Sequence, residues 1–212
     1  MQMNMVKLIM GNIFLKDLKF KQMTFNPTSF PEVLISKTSI YSDSRGWFVE
    51  SFRKDLLEEA VGHHINFCQE NRAQSYYGVI RGLHYQMPPA AQSKLISVVE
   101  GKVLDVVVDI RKGSPNFGKH TTFELSSKNQ KQLFIPRGFA HGYACLSKIA
   151  TVIYHVDNYY NRSSEASIAF DDPQLNIDWQ LPVNKIVLSE KDKFLPRFQA
   201  AQSFDYNQSL YD

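Results

Sequence analysis

From Glu32 to Phe170 the chain alternates apolar and polar residues in short runs, each closed by a cluster of Gly, Pro, Asn, Asp or Ser. Successive side chains of a strand point to opposite faces, so this period-two pattern predicts half-buried strands. Val33, Ile35 and Ile40, with Ser and Thr among them, predict one over Glu32 to Ile40, ended by the turn Tyr41-Ser-Asp-Ser-Arg-Gly46. Strands are then expected over Trp47 to Phe52, Ile65 to Gln74, Gly78 to Gln86, Lys94 to Glu100 and Lys102 to Ile110. The pattern resumes over His120 to Leu125, Leu133 to Ile135, Ala140 to Leu146, Ala150 to Val156 and Ala166 to Phe170, after which the chain turns irregular and proline-bearing. One stretch reads as helix, Asp55 to Val61: Leu56, Leu57 and Ala60 share a face, Asp55 can cap the start and Gly62 can end it. Short strands with turns every 8 to 12 residues or so, and no regular strand–helix alternation, predict an all-β fold, a jelly-roll β-barrel with short peripheral helices.

The chain has 212 residues, 43% hydrophobic and 21% charged, enough for one domain with a substantial core and unlike a disordered chain. A net charge of +3 with no long Lys/Arg run gives no electrostatic footprint for nucleic acid. Cys68 and Cys145 form neither a disulfide framework nor a zinc knuckle, which fits a reducing cytoplasm. The apolar stretch Leu8 to Leu15 is too short to span a membrane and lacks a small-residue cleavage site after it. Met1 to Gln22 differs from the patterned chain that follows. It is expected to be an N-terminal extension ahead of a single domain over residues 23–212, with Met23 as a candidate translation start.

Candidate chemistry centres on Gly78-Val-Ile-Arg-Gly-Leu-His-Tyr-Gln86. A strict alternation puts Ile80, Gly82, His84 and Gln86 on one side and Arg81, Leu83 and Tyr85 on the other, with Gly82 leaving room for a ligand or a second backbone. An inward histidine serves as a base, a metal ligand or a bonded core residue. Metal spacing is poor: His63 and His64 would face opposite sides of a strand, and the position after His84 on its face is Gln86. Proton chemistry on a carbonyl compound needs a base, an orienting carboxylate, an acid and a cation facing the enolate. His84 is the candidate base, Asp192 or Asp172 the carboxylate, Tyr154 or Tyr160 the acid, and Lys94 or Arg81 the cation. Arg45 and Arg81 each lie beside a glycine and near an aromatic residue, positions from which guanidinium groups reach phosphate oxygens.

Taken together, Asp43-Ser-Arg-Gly-Trp-Phe-Val-Glu50, Gln69-Glu-Asn71, Arg81-Gly-Leu-His-Tyr-Gln86, Gln92-Ser-Lys94 and Val108-Asp-Ile-Arg111 form an ordered series. It continues with Pro136-Arg-Gly-Phe-Ala-His-Gly142, Tyr154, Asp157-Asn-Tyr-Tyr160 and Ser189-Glu-Lys-Asp192. In these motifs the chain resembles the dTDP-4-dehydrorhamnose 3,5-epimerase family, cupin-like enzymes of deoxysugar nucleotide biosynthesis, from about Phe30 to about Phe198. The resemblance implies His84 as base, Asp192 as its partner, Tyr154 as acid from the opposite face of the sugar, and Lys94 against the O4 enolate. It also implies a nucleotide-sugar site lined by Arg45, Glu50, Gln69, Asn71, Arg81, His141, Glu165 and Lys191, with no cofactor, in a homodimer whose subunits help close each other's sites. The competing readings are a single-centre epimerase or ketoisomerase of a related 4-keto sugar, and a non-catalytic sugar-binding cupin module.

A protein begun at Met23 is expected to fold and to keep its activity, measured by circular dichroism and turnover; loss of folding would make residues 1–22 part of the domain.

Overall fold

The computed structural model describes residues 23–211. The expected extension, residues 1–22, lies outside them. Two antiparallel sheets face each other. The first has six strands in the order β1 (Thr24–Pro27), β2 (Leu34–Lys37), β11 (Gln132–Ile135), β7 (Lys94–Glu100), β13 (Ile149–Val156) and β5 (Gln69–Tyr76). The second has five, in the order β10 (His120–Ser126), β8 (Lys102–Asp109), β12 (Phe139–Cys145), β6 (Ile80–Gln86) and β14 (Glu165–Ser167). The described strands hydrogen-bond as separate sheets, not as one closed ring. The fold is therefore all-β, as the alternation predicted.

Three apolar layers hold the sheets. Val103 and Val107 of β8, Phe139, Tyr143 and Cys145 of β12, Ile96 and Val98 of β7, and Ala150 and Val152 of β13 meet between them. On its other face β8 presents Leu104, Val106 and Val108 to the C-terminal chain, whose Ile168, Leu175, Trp179, Phe198 and Phe204 cover the five-stranded sheet. Strand β8 is thus buried on both faces, which explains its nearly continuous run of valines. Helix α1 (Lys54–Val61) covers the outside of the six-stranded sheet, where its Leu57 packs with Ile65, Leu95 and Phe134.

Several boundaries move. The first expected strand divides after Lys37, so β2 joins the six-stranded sheet while β3 (Ile40–Asp43) and β4 (Gly46–Val49) form a separate two-stranded hairpin. Asp55 does not cap α1: the capping position is Arg53, with no side-chain cap, and Asp55 sits in the first turn, ion-paired to Arg53. Gly62 ends the helix in a left-handed conformation as expected, its N–H bonded to the carbonyl of Glu58. Strand β5 begins at Gln69, because Ile65 turns away into the cluster beneath α1. Among the described residues no helix is long and apolar enough to cross a membrane.

The expected alternation in β6 also fails, at Gly82. His84 lies opposite His141 and Arg81 opposite Tyr143, so three steps along β6 match two along β12. Such a bulge reverses the phase of every later side chain. Ile80, Leu83 and Tyr85 pack into the outer core, whereas Arg81, His84 and Gln86 line the space within. Gly82 makes this possible: its φ is +127°, and a Cβ there would sit 2.5 Å from Cα of Gly142 and 2.8 Å from the carbonyl oxygen of His141.

Gly82→Ala is expected to cost about 3 kcal/mol of stability, from backbone conformation and overpacking together. Urea denaturation measures it, and a cost near zero would mean that the bulge tolerates a side chain.

Candidate active site

A cavity of about 510 Å³ opens between the sheets, within the range of small-molecule sites. Strand β6 contributes Arg81, His84 and Gln86, β12 His141 and Tyr143, and β14 Glu165 from one wall. The facing sheet contributes Gln69, Asn71 and Ala73 from β5, Lys94 from β7 and Tyr154 from β13. His84 and Tyr154 therefore reach the same space from opposite walls. The last part of the lining, Val187 to Ser189 with Lys191 and Asp192, comes from the irregular C-terminal chain. That chain is held beside β6, where Val187 N–H donates to the carbonyl of Gly78 at 2.9 Å and Ile80 N–H to that of Val187 at 3.0 Å.

This placement brings Asp192 to His84 across 108 residues of sequence, with Nε2 of the ring 2.7 Å from Oδ1. The carboxylate can only accept, so in the neutral ring Nε2 carries the proton and Nδ1 holds the lone pair. Burial alone would push the Asp192 carboxyl up, but His84, Ser189 and Lys191 more than offset it and hold the carboxyl below the ordinary carboxylate range. Asp172, the other candidate, has different work: its side chain accepts from the N–H groups of Gln174, Leu175 and Phe198, fixing a turn.

A second imidazole–carboxylate pair lies next to the first, because His141 is the cross-strand partner of His84. Its Nε2 donates to Oδ2 of Asp105 at 2.9 Å, and Asp105 is fully buried. Burial lowers the His141 pKa against the pull of Asp105, so this ring is neutral near pH 7. Lys94 faces the same group. Burial pulls its ammonium down to about 8, against the opposing attraction of Asp105 and Glu165, and its Nζ contacts the carbonyl oxygen of His84 at 3.4 Å. Tyr154 is half-buried, and burial raises its phenol above the ordinary value, so it keeps its proton at neutral pH. Tyr160, the alternative acid, lies exposed at the rim and donates to Glu165 at 3.0 Å.

Of the binding residues, Gln69, Asn71, Arg81, His141, Glu165 and Lys191 line the cavity, with Lys191 ion-paired to Glu165. Arg45 and Glu50 do not. Arg45 sits at the turn of the β3–β4 hairpin, bound to Asp43, and Glu50 just beyond it, 3.8 Å from Arg53. Two further residues, Asp105 behind His141 and Tyr143 in the lining, are not among the sequence candidates. Asp105 had a signal, a lone carboxylate in the valine-rich run Lys102-Val-Leu-Asp-Val-Val-Val-Asp109. Among the described residues no three His, Cys, Asp or Glu side chains come together as a metal-binding group.

The family model for dTDP-4-dehydrorhamnose 3,5-epimerase matches residues 27–200. The chain belongs to the dTDP-4-dehydrorhamnose 3,5-epimerase family. It is 46% identical over 177 residues to the family's enzyme from Shigella flexneri, covering 84% of this chain and 97% of that one. Among solved structures, the epimerase of Elizabethkingia anophelis is 43% identical with a TM-score of 0.81, over 84% of this chain and 98% of that one. The dTDP-6-deoxy-D-glucose-3,5-epimerase of Legionella pneumophila, solved with dTDP-4-keto-L-rhamnose, is 42% identical with a TM-score of 0.83, over 88% of this chain and all (100%) of that one. The cupin-like, all-β fold is that of the epimerase family.

For an epimerase of this geometry, kcat/KM is expected to fall tenfold per pH unit above about pH 8, as Lys94 loses its charge. Lys94→Arg, which stays charged, should abolish that limb, and Lys94→Met should lower kcat by about 100- to 1,000-fold. A pH profile unchanged in Lys94→Arg would assign the limb to another group.

Proposed function

We propose that the protein converts dTDP-4-dehydro-6-deoxy-D-glucose into dTDP-4-dehydro-L-rhamnose, inverting C3 and C5 of the sugar. The observation that carries the chemistry is the placement of His84 and Tyr154 on opposite walls of one cavity, with a buried cation between the sheets. Nδ1 of His84 removes the proton from a carbon next to the C4 ketone, and Asp192 stabilises the imidazolium that forms. Electrons of the broken C–H bond move onto O4, where Lys94 meets the negative charge. Tyr154 then gives its proton to the same carbon from the other side, which inverts the centre. Each centre needs one such cycle, between which His84 gives up its proton and Tyr154 regains one by exchange with solvent, and no redox step is involved.

Arg81 and Lys191 suit the diphosphate, and Gln69, Asn71, His141 and Glu165 the polar edges of base and sugars. We read Arg45 and Glu50 as residues given to the site of a second copy in a homodimer. Support comes from their position at the turn and the end of a hairpin whose Ile40, Trp47 and Phe48 are exposed, Trp47 by 61%. The facing sheets are read as the two halves of a jelly-roll barrel, residues 23–212 as one domain, and the cytoplasm as the site of action.

In heavy water, signals of the sugar protons at both C3 and C5 are expected to disappear, as followed by NMR, and a reductase should then yield an L-rhamnose product. His84→Asn should slow turnover by about 100- to 10,000-fold while leaving binding measurable. Tyr154→Phe should exchange protons without net inversion. Exchange at one carbon only would make the protein a single-centre epimerase, and none at all would leave a binding module.

A further inference from the structure

Tyr143 is a cavity residue that the mechanism above does not use. It is 4% exposed on β12, opposite Arg81, and its hydroxyl oxygen lies 3.2 Å from Oγ of Ser75 on β5. Ser75 is 2% exposed and also takes the Nε hydrogen of Arg81, at 3.0 Å. Arginine only donates, so one lone pair of Ser75 is committed. Among the described residues, the only other hydrogen-bond partner of Ser75 Oγ is the Tyr143 hydroxyl. Were Tyr143 to donate to Ser75, the serine proton would be buried without an acceptor, a cost comparable to a lost hydrogen bond. With the serine donating instead, the chain runs Arg81 to Ser75 to Tyr143, and the phenolic hydrogen is left free for a partner in the cavity that Tyr143 lines.

From this polarity we infer that Tyr143 is a substrate-binding residue, a hydrogen-bond donor to an oxygen on the sugar half of the bound nucleotide sugar. The inference rests on the nucleotide-sugar reading of the cavity. Tyr143 is two residues from His141, the partner of His84, and packs in the core cluster that Tyr154 adjoins. It therefore stands beside the space where the reacting carbons lie. Glu165, by contrast, is the cross-strand partner of Gln86, at the other end of β6. The cationic head of the chain strengthens the donor, since successive hydrogen bonds polarise one another. Burial keeps the Tyr143 phenol above its ordinary pKa, despite the opposing pull of Ser75 and Arg81, so at neutral pH the proton is present to be donated.

The test compares wild type with Tyr143→Phe, by calorimetric titration with dTDP and with dTDP-glucose, after circular dichroism has shown equal melting temperatures. The variant is expected to bind dTDP as the wild type does and dTDP-glucose about 3- to 10-fold more weakly. In wild type labelled at tyrosine Cζ, the Tyr143 carbon resonance should shift with dTDP-glucose and stay in place with dTDP, a readout that needs no folded variant. Equal affinity of both proteins for dTDP-glucose overturns the inference, and so does equal weakening for both ligands, which would place the hydroxyl against the nucleotide or its diphosphate. A wild type that binds neither ligand overturns the nucleotide-sugar reading itself, and the inference with it.

Discussion

The site depends on one steric constraint, the approach of β6 to β12 at Gly82 and Gly142. A Cβ at Gly82 would fall inside the van der Waals radius of the opposite backbone. Because none is there, β6 holds one residue more than its partner and changes phase. Leu83 then belongs to the outer core, and Arg81 and His84 face the same cavity. Without the bulge, regular alternation would set His84 and Arg81 on opposite faces, and the base would share its wall with neither the arginine nor the chain Arg81–Ser75–Tyr143.

The second requirement is that charges in the cavity and directly behind its wall be compensated. Two carboxylates, Asp105 and Asp192, each accept from an imidazole, and Asp105 also faces Lys94. A buried ammonium without a counter-charge would lose its proton well below neutral pH, and a buried carboxylate without a donor would gain one. Together they hold a charged lysine and an oriented imidazole in a space partly enclosed by the two sheets, where each acts more strongly on developing charge than it would in open solvent. The valines that flank Asp105 supply the dry surroundings and the rigidity together.

The C-terminal chain, which has little regular structure, has two connected functions. Its apolar residues cover the outer face of the five-stranded sheet, and its pairing with the start of β6 carries Ser189 to Asp192 to the cavity. Covering the core and completing the base are thus the same packing event. The β3–β4 hairpin is different, since it belongs to neither main sheet and leaves Trp47 in solvent. Its Arg45 and Glu50 share the family motif with the cavity residues but not their place.

By itself the sequence determined the all-β class and most strand positions, because a period of two needs only local backbone geometry and a buried side. Its motifs also determined the family and singled out His84, Asp192, Tyr154 and Lys94. What only the tertiary structure decided was long-range and spatial. It brought Asp192 within hydrogen-bond distance of His84 and gave Asp172 to a turn, contacts that depend on where an irregular segment docks. It reversed the faces of β6, because a bulge arises from contact with another strand and leaves no mark on local periodicity. It drew Asp105 and Tyr143 into the site, residues whose surroundings in sequence look like core. And it set Arg45 and Glu50 outside the cavity, because a motif records which residues occur together and packing decides which of them meet.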